Sequence, residues 1–345
     1  MITLSQIPGR TTMIDGKEYH FFSGYSYLGL GMLPAFTDLV KKGIDQYGVV
    51  YPSSRISNTA LDLYANTEEA LANYTNTEEA ACFSSGFLSA RTAVEVVKEK
   101  MNVYYLHHTH PASTALDGLK QIPAEQSWTD FLTERAAANE FQFGLVADSI
   151  NPTPGRVNDF SFLKTTPATF NITLIIDDSH GIGWLGEKGE GIRSFLQLPY
   201  SVELLLNFSL SKAFHINGGA VCGSRKWLSA VRRHVNYATS TPLMPSLAFA
   251  WLHAGHLFQQ QREILLQNID YLQKLTTNNT FVANEGTPVF VLAKKGIAPY
   301  LLQNHTIISS FSYPHPESDP VNRVVVNALH LRSDLEKLAQ LIEQF

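Results

Sequence analysis

The chain has 345 residues, 44% hydrophobic and 17% charged, with a formal net charge of −5. This length suits a large core with a second, smaller domain, and a negative balance without a basic block excludes a nucleic-acid footprint. No apolar run approaches membrane-spanning length, and the N-terminus lacks a basic stretch followed by an apolar one, so no membrane partner and a cytoplasmic location are expected. The two cysteines, Cys82 and Cys222, each follow small apolar residues and read as buried thiols rather than a disulfide.

From the N-terminus, Tyr19–Leu30 is an extended aromatic segment, and Pro34–Tyr47 carries a helical pattern. A loop from residue 55 leads into a helix ending near residue 73. Asn66 and Glu69 have capping-box spacing and predict a helix start there. Continuous apolar runs at Ala80–Phe83, Val103–Leu106, Gly144–Ala147, Thr173–Asp177, Val202–Ser209 and Gly219–Gly223 predict strands covered on both faces. Helical patterns such as Phe87–Lys100 separate several of them, and this alternation predicts an α/β fold with a mostly parallel sheet. One long helix is predicted over Pro245–Leu275. Beyond it, Val289–Ala293, Thr306–Phe311 and Val324–Ala328 read as short strands before a closing amphipathic helix, Ser333–Phe345. This C-terminal part is a smaller α+β domain, with the Thr276–Thr280 cluster as its boundary. The expected organisation is an N-terminal segment over 1–50 packing with the small domain, a large domain over 51–275 and a small domain over 276–345.

Two segments carry the chemistry. The strand Thr173–Asp177 ends in a carboxylate with His180 three residues on, and Lys212 stands beside Ser209 and Ser211 after the next strand. An acid at a strand mouth and a lysine one strand later suit pyridoxal phosphate. The lysine holds the cofactor as an imine, and the acid keeps the pyridine nitrogen protonated so that the ring accepts electrons. An imine forms only from the neutral amine, so the site must lower the Lys212 pKa by burial or neighbouring positive charge. Ser85, Gly86 and Phe87 begin a helix after Ala80–Phe83, and free amides at such a start suit a phosphate. The histidines within His107–His110 have no nearby acid or cysteine to complete a ligand set, so no metal is expected. Ser179 and His180 are adjacent and diverge, which argues against a nucleophile–base pair.

Six segments in this order are Tyr25–Leu30, Phe83–Phe87, Ile176–Gly183, Ser209–Gly219, Tyr237–Pro242, and Arg323 with His330. Together they resemble the α-oxoamine synthase branch of fold-type I pyridoxal phosphate enzymes, the 8-amino-7-oxononanoate synthase-like members of aminotransferase class I/II. The resemblance implies a transferase acting on an amino acid, with Lys212 as the Schiff-base lysine and Asp177, rather than Asp178, as partner of the pyridine nitrogen. His180 would reach the cofactor's 3-hydroxyl oxygen, and His110, or alternatively His108, would stack over its ring. Ser85, Gly86, Phe87, Ser209 and Ser211 would surround the phosphate. Thr239 and Ser240 would reach a phosphate across the interface of a homodimer with shared sites. Arg323 would clamp the substrate carboxylate through two parallel bonds, with Tyr25 also at the substrate.

The chain departs from the family where a Ser-Met-Asp-Gly-Asp-like segment is expected. Asp148–Arg156 stands there, with Pro152 near the serine and Arg156 in place of the later acid. Tyr51–Ser57 replaces a glycine-rich segment, and Tyr64 replaces a histidine. These changes touch the substrate's surroundings rather than the cofactor's. Condensation with an acyl-CoA therefore stands beside two alternatives, an aminotransferase without acyl-CoA and a cofactor-binding protein that has lost catalysis.

Overall fold

The computed structural model describes residues 2–151, 155–276, 280–282, 286–312 and 317–345; Pro152 and most of the Thr276–Thr280 cluster lie outside them. Strands β1 (Thr11–Ile14) and β2 (Lys17–Phe22) form an antiparallel hairpin. Its turn is Asp15–Gly16, with φ of 49° and 75°, the backbone that a tight two-residue turn requires. Helices α1 (Pro34–Tyr47) and α2 (Asp62–Tyr74) follow. α2 begins four residues before Asn66, contrary to the capping-box expectation. Its buried stripe of Leu63, Thr67 and Leu71 sets the helix instead.

The next elements are β3 (Glu79–Phe83), α3 (Gly86–Lys98), β4 (Val103–Tyr105), α4 (Pro111–Thr114), β5 (Lys120–Gln121) and α5 (Trp128–Ala137). Then come β6 (Gln142–Asp148), the short pair β7 (Ile150–Asn151) and β8 (Arg156–Val157), β9 (Asn171–Asp177), β10 (Val202–Ser209) and β11 (Gly219–Gly223). A seven-stranded sheet has the order β3-β11-β10-β9-β6-β4-β5. β10, β9, β6, β4 and β5 are parallel, while β11 runs antiparallel to both neighbours. On one face Val146, Ile175, Leu205 and Val221 pack against Ala93, Val94 and Val97 of α3 and Trp227 of α6 (Arg225–Arg233). On the other, Leu145, Leu174, Ile176 and Leu206 join the main core. Burial on both faces is the reason these strands show no alternation.

After α7 (Val235–Ala238), the expected single long helix is two helices, α8 (Pro245–His253) and α9 (Gly255–Leu275). Ala254 between them has ψ of 6°, and Gly255 is the residue type least able, after proline, to hold a helix together. The chain closes with β12 (Val289–Leu292), α10 (Ile297–Gln303), β13 (Thr306–Ser312), β14 (Pro320–Val325) and α11 (Arg332–Gln344). The expected strand Val324–Ala328 is displaced, because Val326 and Ala328 donate their amides to Pro288 and Tyr27 carbonyls rather than to the ladder. A second sheet has the order β1-β2-β13-β14-β12, joining the two ends of the chain. The first 50 residues divide between the two bodies. β1 and β2 enter this sheet, whereas α1 lies on α8, with Gly43 against Ser246 and Phe249. No helix among the described residues is long and apolar enough to cross a membrane.

His330 locks this second sheet to its helices. Its Nδ1 accepts the Asn327 amide at 3.1 Å, its Nε2 lies 3.1 Å from the Phe21 carbonyl, and its ring stacks 4.1 Å from Phe22. Burial pushes its pKa down from 6.5 to about 4. The unfolded chain therefore takes up this proton first on acidification. The contribution is complete above about pH 6.5 and is lost as the pH falls to about 4. From those two values it amounts to about 3 kcal/mol at most, using 1.36 kcal/mol per unit. Urea midpoints followed from pH 7 to 4 should fall less steeply in His330→Gln than in the parent protein, and equal slopes would contradict the assignment.

Candidate active site

Three parallel strands finish side by side at the carboxyl edge of the large sheet. Asp148 of β6, Asp177 of β9 and Asn207 of β10 stand in register, so their side chains share the face covered by α3. There a cavity of about 140 Å³ is lined by Gly86, Phe87, His110, Ala112, Asp148, Asp177, Ser179, His180, Ser209 and Lys212. A larger apolar groove, about 630 Å³, lies against β13, but its described lining contains no titratable side chain. The small cavity is where polar groups converge at the end of an open α/β sheet.

Each lining group is held by the local chain. Asp177 Oδ1 accepts the Ser179 amide at 2.9 Å, and Ser179 Oγ accepts the Ser209 amide at 2.8 Å. The turn after β9 is thereby fastened to the end of β10. Ser209 and Ser211 hydroxyls are 2.7 Å apart. α3 starts directly against them: a Cβ at Gly86 would stand 2.4 Å from Ser209 Cβ, so only glycine permits this approach. Ser85 caps α3, its Oγ accepting the Leu88 amide at 3.2 Å.

Lys212 is half-buried, and the loss of solvent around its amine pulls it below the ordinary lysine value against the opposing influence of Asp177 and Asp148. Its Nζ lies 5.7 Å from the centre of the Tyr25 ring. His180 is half-buried, and its pKa is pushed well below the ordinary histidine value, first by loss of solvent and then by Lys212, Arg323 and His110. Tyr27, whose buried phenol keeps its proton, stands 2.7 Å from His180 Nδ1. With the phenol as donor to Nδ1, the neutral ring carries its proton on Nε2. His110 is likewise depressed by burial. Its Nδ1 accepts the Ala112 amide at 3.1 Å and its own amide donates to Asp148 at 3.0 Å.

Of the residues expected from sequence, Gly86, Phe87, His110, Asp177, His180, Ser209 and Lys212 line this cavity. Ser85 and Ser211 flank it. His108 does not line it; its ring lies 3.8 Å from that of His107. Tyr25 packs edge-on to His180 at 5.0 Å, and its hydroxyl is 3.4 Å from Arg323 Nη1. Arg323 comes from β14 and is buried, with its guanidinium 4.7 Å above the Phe311 ring. Thr239 and Ser240 are outside this cavity; Thr239 is exposed, and its hydroxyl donates to the Val235 carbonyl. Tyr27, Ser179 and Asp148 were not anticipated as site residues. Among the described residues no cluster of three His, Cys, Asp or Glu groups is arranged to hold a metal.

These residues fit pyridoxal phosphate: a half-buried lysine with a depressed pKa, a strand-end carboxylate, hydroxyls and a helix start for a phosphate, and an imidazole whose pKa is pushed down. The family described as aminotransferase class I and II matches residues 25–342, and the chain belongs to it. It is a fold-type I, pyridoxal phosphate-dependent transferase. Similar proteins include the 8-amino-7-oxononanoate synthase of Coprothermobacter proteolyticus, 24% identical over 98% of this chain and 90% of that protein. That of Thermosipho melanesiensis is 24% identical over 97% and 90%. Among solved structures, a serine palmitoyltransferase from S. paucimobilis with bound PLP and myriocin superposes with a TM-score of 0.85, at 17% identity, over 100% of this chain and 92% of that one. The 8-amino-7-oxononanoate synthase of Francisella tularensis gives 0.73, at 22% identity, over 94% and 97%.

Proposed function

We propose that this transferase condenses an amino acid with an acyl-CoA and releases free CoA, as a cytoplasmic homodimer. The relatives named 8-amino-7-oxononanoate synthase support this reading. The observation that carries it is the meeting of Asp177, His180 and Lys212 on one cavity, with Tyr25 and Arg323 adjoining. Bound there, the cofactor supplies an electron sink for charge developing at the substrate's Cα. Lys212, its pKa lowered by loss of solvent, would attach the cofactor and move the Cα proton. Asp177 would hold the pyridine nitrogen with its carboxylate, His180 would offer its Nε2 proton to the ring oxygen, and His110 would pack against the ring.

Gly86 and Phe87 of α3, with Ser85, Ser209 and Ser211, hold the phosphate. Arg323 orients the substrate carboxylate beside Tyr25. Thr239 and Ser240 serve the site of the second subunit. Residues 51–275 act as the cofactor domain, and 276–345 with the N-terminal hairpin form the smaller one.

The test is to incubate the PLP-loaded protein with a panel of amino acids and acyl-CoAs and to follow free thiol. CoA release that depends on the amino acid is the expected result. Oxo-acid formation without CoA release would sink condensation and favour an aminotransferase, a reading that the departures over Asn151–Arg156 leave open. Cofactor binding with neither product would mean that catalysis is lost.

A further inference from the structure

Two acids stand side by side in this site, and only one has a part in the reading above. Asp148 and Asp177 are opposite each other on neighbouring parallel strands, 8% and 9% exposed. Asp148 Oδ2 accepts the His110 amide at 3.0 Å. Its Oδ1 is buried and has no hydrogen-bond partner among the described residues. A buried carboxylate oxygen without a donor is strongly disfavoured, whereas a carboxylic acid can turn its O–H into the cavity. Two carboxylates in one buried site cannot both ionise without compensation. The cation nearby is Lys212, which must be a neutral amine to react.

We propose that Asp148 is a positioning residue that carries a proton rather than a charge. One oxygen fixes the backbone of His110 so that its imidazole faces the cavity, and the other presents a neutral O–H. Asp177 is left as the anion facing the bound ring. The inference rests on the reading of this cavity as the cofactor site. The charged and titratable groups around Asp148 agree with it. Burial, and then Asp177 on β9, raise its pKa well above the ordinary carboxyl value, with the His110 amide and Lys212 after β10 opposing them. The His110 pKa is lowered, first by loss of solvent at the cavity, with Asp177 opposing and Lys212 adding to the shift. Asp178, the next acid along the chain, is tied elsewhere: its Oδ2 accepts the Ile192 amide at 2.8 Å, and burial pushes its pKa up to about 7.

The test compares the full-length parent protein with Asp148→Asn and Asp148→Ala. The infrared difference between parent and Asp148→Asn at pH 7 should contain the carbonyl stretch of a neutral carboxyl. A carboxylate stretch there would overturn the proposal, with or without cofactor. Pyridoxal phosphate should bind Asp148→Asn within about twofold of the parent, because the amide keeps both the shape and a donor. It should bind Asp148→Ala about tenfold more weakly, the loss expected for one hydrogen bond. The midpoint of the visible band against pH should be unmoved in Asp148→Asn. A downward shift of a unit or more would mean that an anion had been removed. Unchanged affinity in Asp148→Ala would also overturn the proposal. If the parent protein gains no visible band, or Lys212→Ala retains it, the cofactor reading itself fails, and the infrared result still decides the protonation of Asp148.

Discussion

Lys212→Ala should acquire no visible band with pyridoxal phosphate and should lose turnover by about 10⁴-fold or more, the upper range for removing a positioned proton-transfer group. The folded state should survive. The side chain makes no hydrogen bond among the described residues, and the hydroxyls of Ser209 and Ser211, 2.7 Å apart, do not depend on it. Because burial lowers the amine's pKa, covalent attachment of the cofactor in the parent should persist at pH values where an exposed lysine is fully protonated and inert. Borohydride reduction followed by peptide mapping checks the attachment point. A label on any other lysine would refute the assignment.

Asp177→Asn should lower kcat by about 10² to 10³-fold at saturating cofactor, the range for removing one charge-directed interaction that acts in the transition state. Asparagine retains the oxygen that accepts the Ser179 amide at 2.9 Å, so the turn after β9 keeps its anchor. What disappears is the negative charge at the sheet mouth. The near-ultraviolet circular dichroism should match that of the parent. Turnover within a few-fold of the parent would rule out Asp177 as the partner of the ring nitrogen.

Local sequence exposes some of this site and hides the rest. β9, β10 and β3 are legible because an unbroken apolar run bounded by polar residues belongs to a strand covered on both sides. Asp177 and Lys212 are legible because they stand where such runs stop. Tyr27 against His180 and Tyr25 against Arg323 are pairs separated by 153 and 298 positions, and no periodicity reports a meeting across that distance. Asp148 follows the apolar run Gly144–Ala147 and is itself a strand-end acid, but its importance comes from register with Asp177, which only sheet order reveals. The hairpin of β1 and β2 did leave a local cue in Asp15–Gly16, ahead of the aromatic run that dominates the segment. The break at Ala254 left only Gly255 as a cue, since apolar residues continue on both sides of it.

The two sheets also constrain the order in which the protein can be made. β3 is paired by β11, with Cys82 opposite Ala220, so during synthesis an apolar edge waits for most of the chain to leave the ribosome. The smaller sheet waits longer, since β2 needs β13, and Arg10 finds Asp334 only near the C-terminus, at 2.7 Å. Such distant pairings fold slowly and expose sticky edges to other nascent chains. Recombinant yield should therefore respond to growth temperature and to chaperone supply more than the size of the finished core would suggest.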